Sequence, residues 1–169
     1  MRWTGARYTD KPTVEVRTWI DAPPERVWAL VSDVAMMPSL SDELQSAAWL
    51  DGATEPSVGA RFVGRSRHEA LGEWSTTSYV IECEPGRVFA WAVADPADPS
   101  AVWRFRLHAG DGGTDLSEWM QMGPGRSGLS QAIDRMPEKE QKIVFVRMRE
   151  FERNMTATLE RIKRLAEAE

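Results

Sequence analysis

The C-terminal segment constrains this chain more than any other. After Pro137, Val144, Met148, Phe151, Met155, Leu159, Ile162 and Ala166 recur at steps of four, three, four, four, three and four. That spacing draws one continuous apolar stripe along an α-helix. Arg147, Arg149, Arg153, Arg161, Lys163 and Arg164 lie off the stripe. About 30 residues at 1.5 Å each make a rod about 45 Å long. A rod of that length with one apolar edge needs an equally extended apolar surface to lie on, and only a sheet supplies one.

The preceding sequence predicts that sheet. Residues 13–20 (TVEVRTWI) alternate, with Val14, Val16 and Thr18 on one face and Glu15, Arg17 and Trp19 on the other. Such alternation with β-branched residues marks a half-buried strand. Pro24 and Glu25 then open a short helix that runs to about Ser32, carried by Val27, Trp28, Leu30 and Val31. Residues 33–42 form a second short helix or turn around Pro38. Six more strands are expected at 44–50, 60–69, 73–84, 87–94, 101–109 and 114–122. Their separators are Asp51-Gly52, Leu71-Gly72, Pro85-Gly86, the 95–99 loop and Gly110–Gly113. Spacers this short make hairpins, so the strands run antiparallel. Gly123–Gly128 breaks the last strand, and residues 1–12, without periodicity, read as a loose N-terminal arm. The expectation is one α+β domain over 13–169, with helices on one face of a seven-stranded antiparallel sheet.

Composition removes several function classes. The 169 residues carry 21 Lys+Arg against 26 Asp+Glu, a net charge of −5, which disfavours a nucleic-acid partner. One cysteine, Cys83, supports neither an intramolecular disulfide nor a cysteine-rich zinc site. The longest apolar run, Val88 to Ala94, is far below the roughly 20 residues that span a bilayer. With no signal-like start, a cytoplasmic protein without cofactor or metal is expected, as monomer or homodimer. Eight Trp and eight Met beside two Tyr suit an irregular cavity, or a solid core that uses Trp for bulk.

Five stretches in this order resemble a known superfamily: IDAPPERVWALVSDV (20–34), VGARFVGRSR (58–67), EWSTTSYVIECEPGRVFAWAV (73–93), GTDLSEW (113–119) and NMTATLERIKRLAE (154–167). Together they resemble the START-like (SRPBCC) superfamily in its bacterial polyketide cyclase/dehydrase branch. The resemblance implies the helix-grip fold shared with Bet v 1-type proteins, in which a curved sheet grips the C-terminal helix around an apolar cavity. It implies binding of lipids, polyketides or other hydrophobic molecules, with cyclisation or dehydration in some members. Many members carry Pro-Trp after the first helices, whereas here Ser39 and Leu40 follow Pro38, so the cavity mouth is expected to differ.

Strand parity nominates the lining. Three arginines are costly to bury, so Arg61, Arg65 and Arg67 face out and Phe62, Ser66 and His68 face in. By the same rule Trp103, Phe105 and Leu107 face in, opposite Arg104, Arg106 and His108. In 114–122 the apolar set Leu116, Met120 and Met122 carries Glu118 inward. The facing of 73–84 and 87–94 is unresolved by pattern. Trp28, Phe62, Ser66, Tyr79, Trp91, Trp103, Phe105, Met120, Met148, Phe151 and Met155 are the candidate ligand-binding residues. His68 and Glu118 are the candidate catalytic pair, since a His and a Glu in an apolar pocket could act as base and acid in cyclisation or dehydration. In the alternative, His68 is solvated at a strand end and Glu118 caps a backbone group or pairs with an arginine. The expected role is binding of a lipid- or polyketide-like molecule, with a cyclase or dehydratase and a protein-partner module as alternatives. The outer arginines are a candidate docking face for an acidic carrier protein.

Overall fold

The computed structural model describes residues 1–168. Strands β1 (Thr13–Ile20), β2 (Leu44–Trp49), β3 (Arg61–His68), β4 (Gly72–Glu84), β5 (Val88–Asp95), β6 (Asp98–Gly110) and β7 (Gly113–Met122) form one antiparallel sheet. Its order is β1-β7-β6-β5-β4-β3-β2. Every neighbour after β1 is thus a sequence neighbour, as short spacers demand, and β1 closes against β7. Between β1 and β2 lie α1 (Pro24–Val31) and the four-residue α2 (Met37–Leu40). Beyond β7 come α3 (Gly128–Arg135) and α4 (Glu140–Glu167). The sheet curls around α4 as a half-barrel, the helix-grip arrangement. No described helix is long and apolar enough to cross a membrane.

The apolar stripe behaves as its spacing requires. Val144, Met148, Met155, Leu159, Ile162 and Ala166 are all buried, while Phe151 is half-buried. Burying one aliphatic side chain of this size contributes about 1.5–3 kcal/mol. The stripe divides between two clusters. Leu159, Ile162 and Ala166 pack with α1 residues Val27 and Val31 and with Leu107 and Leu116 of the sheet. Val144, Met148 and Met155 pack with Val14, Met120 and Tyr8. A third cluster, Val34, Met37, Phe62, Val80 and Phe89, sits beneath the short helices. The helix is clamped at both ends, and the space along its middle is left to the sheet's concave face.

Three expectations need correction. Residues 1–12 are docked on α4 and not loose. The Tyr8 ring is buried, its amide donates to Glu140 at 3.0 Å, and Gln141 donates to the Gly5 carbonyl at 2.7 Å. The glycine break 123–128 leads directly into a helix over 128–135, for which the sequence pattern predicts no element, with the Ser127 amide hydrogen-bonded to the Ser130 hydroxyl at 3.0 Å. Strand β6 begins at Asp98, so Pro99 belongs to the strand and not to a loop.

Candidate functional site

Between the concave face of the sheet and the middle of α4 lies a cavity of about 750 Å³, within the usual size range of small-molecule sites. Alternation along each strand supplies its wall. Phe62, Gly64 and Ser66 come from β3, Trp91 and Val93 from β5, Trp103 and Phe105 from β6, and Glu118, Met120 and Met122 from β7. Helix α4 contributes Phe151, Asn154, Met155 and Thr158. The aromatic rings form two sets. Phe62 meets Trp91 edge-on at 5.9 Å, Trp91 tilts against Phe105 at 6.1 Å, and Trp103 meets Phe151 at 5.4 Å and 90°. Such edge-to-face pairs favour fixed ring positions, so the flat walls are pre-formed.

The two strands left open by pattern are now assigned. On β4, Trp74, Thr76 and Ser78 face the cavity. A bulge between Val80 and Glu82 then shifts the register and turns Cys83 inward. Both faces of β5 are buried. Ala90 and Val88 pair with Arg104 and Arg106 of β6, whose long side chains flank those small residues on the outer face.

Phe62, Ser66, Trp91, Trp103, Phe105, Met120, Phe151 and Met155 of the nominated residues therefore line the cavity, together with Glu118. Four do not. Tyr79 has the outward parity of β4 and lies under the Arg61 guanidinium, 5.8 Å from the ring centre. Trp28, on α1, fills the space against Phe89 at 6.2 Å and belongs to the solid core. Met148 is enclosed in the cluster with Val14 and Tyr8. His68 faces the helix as parity requires, but its Nε2 is 2.9 Å from the Glu150 carboxylate and its Nδ1 accepts amides of Ala70 and Leu71 at 3.0 and 3.2 Å. With Nδ1 accepting, the ring proton sits on Nε2 and is donated to Glu150. His68 thus joins the β3–β4 turn to α4 outside the cavity, and the His68–Glu118 pair is not brought together.

Glu118 stands alone in the wall. Its cross-strand neighbours are Val16 on β1 and Phe105 on β6. It is 6% exposed, and its Oε2 has no hydrogen-bond partner among the described residues. Burial without a compensating cation pushes the carboxyl up to about 8. At neutral pH the group is therefore a carboxylic acid carrying one O–H donor.

A polar cluster in the wall had no sequence signal. Arg147, placed off the helical stripe by periodicity, is 5% exposed and donates to both carboxylate oxygens of Glu43 at 2.7 Å each. Asn154 donates to the same carboxylate at 3.0 Å, and the Phe151 ring lies 4.2 Å beneath the guanidinium. Next to it, Thr158 and Arg161 donate to the Leu40 carbonyl at 2.7 and 3.1 Å. These bonds pin the α2–β2 loop to α4 and fix one side wall. A stripe of apolar positions predicts only where Cβ atoms point, whereas an arginine reaches about a turn further.

The lining residues that reach solvent, Ser75, Ala94, Arg126, Gly128 and Gln131, mark the mouth. Its rim is stapled. The Gly125 amide donates to the Pro99 carbonyl at 2.8 Å, and the Tyr8 hydroxyl donates to the Gly125 carbonyl. A Cβ at Gly125 would lie 2.1 Å from the Asp98 carbonyl oxygen, so only glycine permits this closeness. On the outer face, Arg61, Arg67 and Arg104 pair with Asp51, Glu73 and Glu82. No group of three or more His, Cys, Asp or Glu among the described residues is placed to hold a metal.

Comparison with known proteins places this geometry. Residues 11–167 match the family described as polyketide cyclase / dehydrase and lipid transport. The solution structure of a polyketide-cyclase-like protein from Corynebacterium glutamicum is 31% identical over 90% of both chains, with a TM-score of 0.66. Two aromatase/cyclases share the fold: BexL of the BE-7585A pathway (21% identity, TM-score 0.68) and StfQ of the steffimycin pathway (12%, 0.70). Both are di-domain proteins; the matches cover 94% and 92% of this chain but only 51% and 50% of theirs. Among curated proteins there is no significant sequence match. The chain belongs to the polyketide cyclase / dehydrase and lipid transport family.

Proposed function

We propose that this protein binds a hydrophobic, flat and partly aromatic small molecule, lipid- or polyketide-like, in the cavity between sheet and α4. The observation that carries the reading is the cavity itself, about 750 Å³, in which aromatic rings from β3, β4, β5, β6 and α4 and thioethers from β7 and α4 are set among serines, threonines and four charged groups. Burial of an apolar ligand there gains about 25 cal/mol per Å² removed from water, and the fixed rings limit the ordering cost. A second reading, cyclisation or dehydration, rests on Glu118 alone. A protonated carboxylic acid in an apolar wall can donate to a carbonyl or departing hydroxyl oxygen, while His68 is engaged elsewhere.

Native mass spectrometry of protein purified from its own host tests the binding reading. A co-purifying mass of a few hundred daltons, released on denaturation, is the expected result. A clean apo mass would overturn it if a panel of lipids and aromatic polyketides also left tryptophan fluorescence unchanged, because Trp74, Trp91 and Trp103 lie in the wall. The outer face would then be the surface to examine for a protein partner.

A further inference from the structure

The Glu118 carboxyl is buried, aimed into the cavity, and holds an oxygen without a partner among the described residues. The charged groups that share its cavity are Glu43, Arg126 and Arg147. Arg147 is committed to Glu43, with Glu150 3.5 Å away, and Arg126 at the mouth is paired with Asp134. The remaining titratable lining group, Tyr8, spends its hydroxyl proton on Gly125. From β1 and β6 the facing side chains are Val16 and Phe105; those facing from α4 besides Arg147 are Phe151, Asn154, Met155 and Thr158, all uncharged. Among the described residues no cation is therefore placed to hold Glu118 as an anion, and the two arginines of the cavity are each paired with another carboxylate.

An unpaired anion in such a wall is far more costly than a neutral acid. A neutral acid carries a donor that wants an acceptor. Since the wall supplies none to Oε2, a ligand that brings an acceptor to this carboxyl gains a hydrogen bond that a hydrocarbon of the same shape lacks. We propose that Glu118 is a specificity determinant: it donates a hydrogen bond to a neutral acceptor oxygen of an apolar ligand, a ketone, quinone or ester carbonyl, and it excludes ligands that present a carboxylate there. The inference rests on the cavity-binding reading. The upward displacement of the Glu118 carboxyl agrees with it, and makes the preference a property of neutral pH that fades as the group ionises.

Three probes of one shape test it by calorimetry at pH 7: 2-acetylanthracene, 2-isopropylanthracene and anthracene-2-carboxylate. Wild-type protein should bind the ketone about tenfold more tightly than the hydrocarbon, the size of one buried hydrogen bond, and the carboxylate more weakly than either. Glu118→Leu should bring ketone and hydrocarbon within twofold of each other. Glu118→Gln, which keeps a donor but cannot ionise, should hold the ketone preference at pH 7 and pH 9, whereas wild type loses it at pH 9. The wild-type pH comparison stands even if Glu118→Leu fails to fold. Equal binding of ketone and hydrocarbon by wild type, or tight binding of the carboxylate, would overturn the donor role and leave the cavity reading intact. Binding of none of the three would overturn the cavity reading and the donor role with it.

Discussion

Replacing Glu118 by glutamine should change how stability depends on pH more than any other single substitution. The carboxyl moves from the ordinary glutamate value of 4.5 in the unfolded chain to about 8 in the fold. Because the folded value is the higher one, the native state keeps a proton that the unfolded state releases as pH rises above 4.5. Stability therefore falls across the window from 4.5 to about 8, and levels off above it. At about 1.4 kcal/mol per pH unit, the full loss attributable to this one group is about 5 kcal/mol. Glutamine cannot ionise, keeps nearly the same shape, and removes the loss. Urea unfolding at half-unit steps from pH 5 to pH 9 gives the free-energy difference between Glu118→Gln and wild type, in which all other titrations cancel. That difference should rise with a slope of about 1.4 kcal/mol per pH unit up to pH 8. A flat difference would show that the carboxyl is ionised in the folded protein at neutral pH, and would refute the account of the wall given above.

Other substitutions probe the parts that shape the cavity. Arg147→Ala leaves Glu43 without its guanidinium partner and should cost about 3 kcal/mol in thermal or urea unfolding, typical of a broken buried pair. Tyr8→Phe removes a hydroxyl that donates to Gly125 and lies 3.0 Å from Ser127; about 1 kcal/mol is expected, with faster amide exchange over 123–128. Gly125→Ala sets a methyl against the Asp98 carbonyl, so the rim must separate from β6, at a cost of about 2–3 kcal/mol read as a lowered melting temperature.

Legibility in the sequence followed the strength of the period. Long α4 and the strand ladder were readable because their patterns repeat over many residues, and inward parity was readable on β3 and β6 because arginines reveal the outer face, and on β7 because Leu116, Met120 and Met122 share one parity. On β4 the polar residues Thr76 and Ser78 face a cavity, so the inner face is as polar as the outer and alternation carries no direction. On β5 arginines of the neighbouring strand cover Val88 and Ala90, which makes both faces look like core. Helix α3 has only eight residues behind a glycine-rich run, too few for a period to emerge. The link from Glu43 to Arg147 joins residues 104 positions apart, and no local signal announces such a pairing. Trp28 and Met148 show the opposite limit: periodicity identifies an inward residue but does not distinguish solid core from cavity wall.

The clamping of α4 at both ends has a consequence for how such a chain can change over time. Leu159, Ile162 and Ala166 anchor one end, and Val144 and Met148 the other. Of the residues between them that meet the cavity, Phe151 packs against the second cluster, whereas Asn154 and Thr158 bond to Glu43 and the Leu40 carbonyl and not to the sheet. Exchanging Asn154 or Thr158 alters the polarity offered to a cargo and releases one bond to the α2–β2 loop, while both anchors on the sheet stay as they are. The hold of the helix on the sheet and part of the polarity it shows a ligand thus rest on different residues, and such a scaffold can be refitted to new cargoes by a few polar substitutions without being refolded.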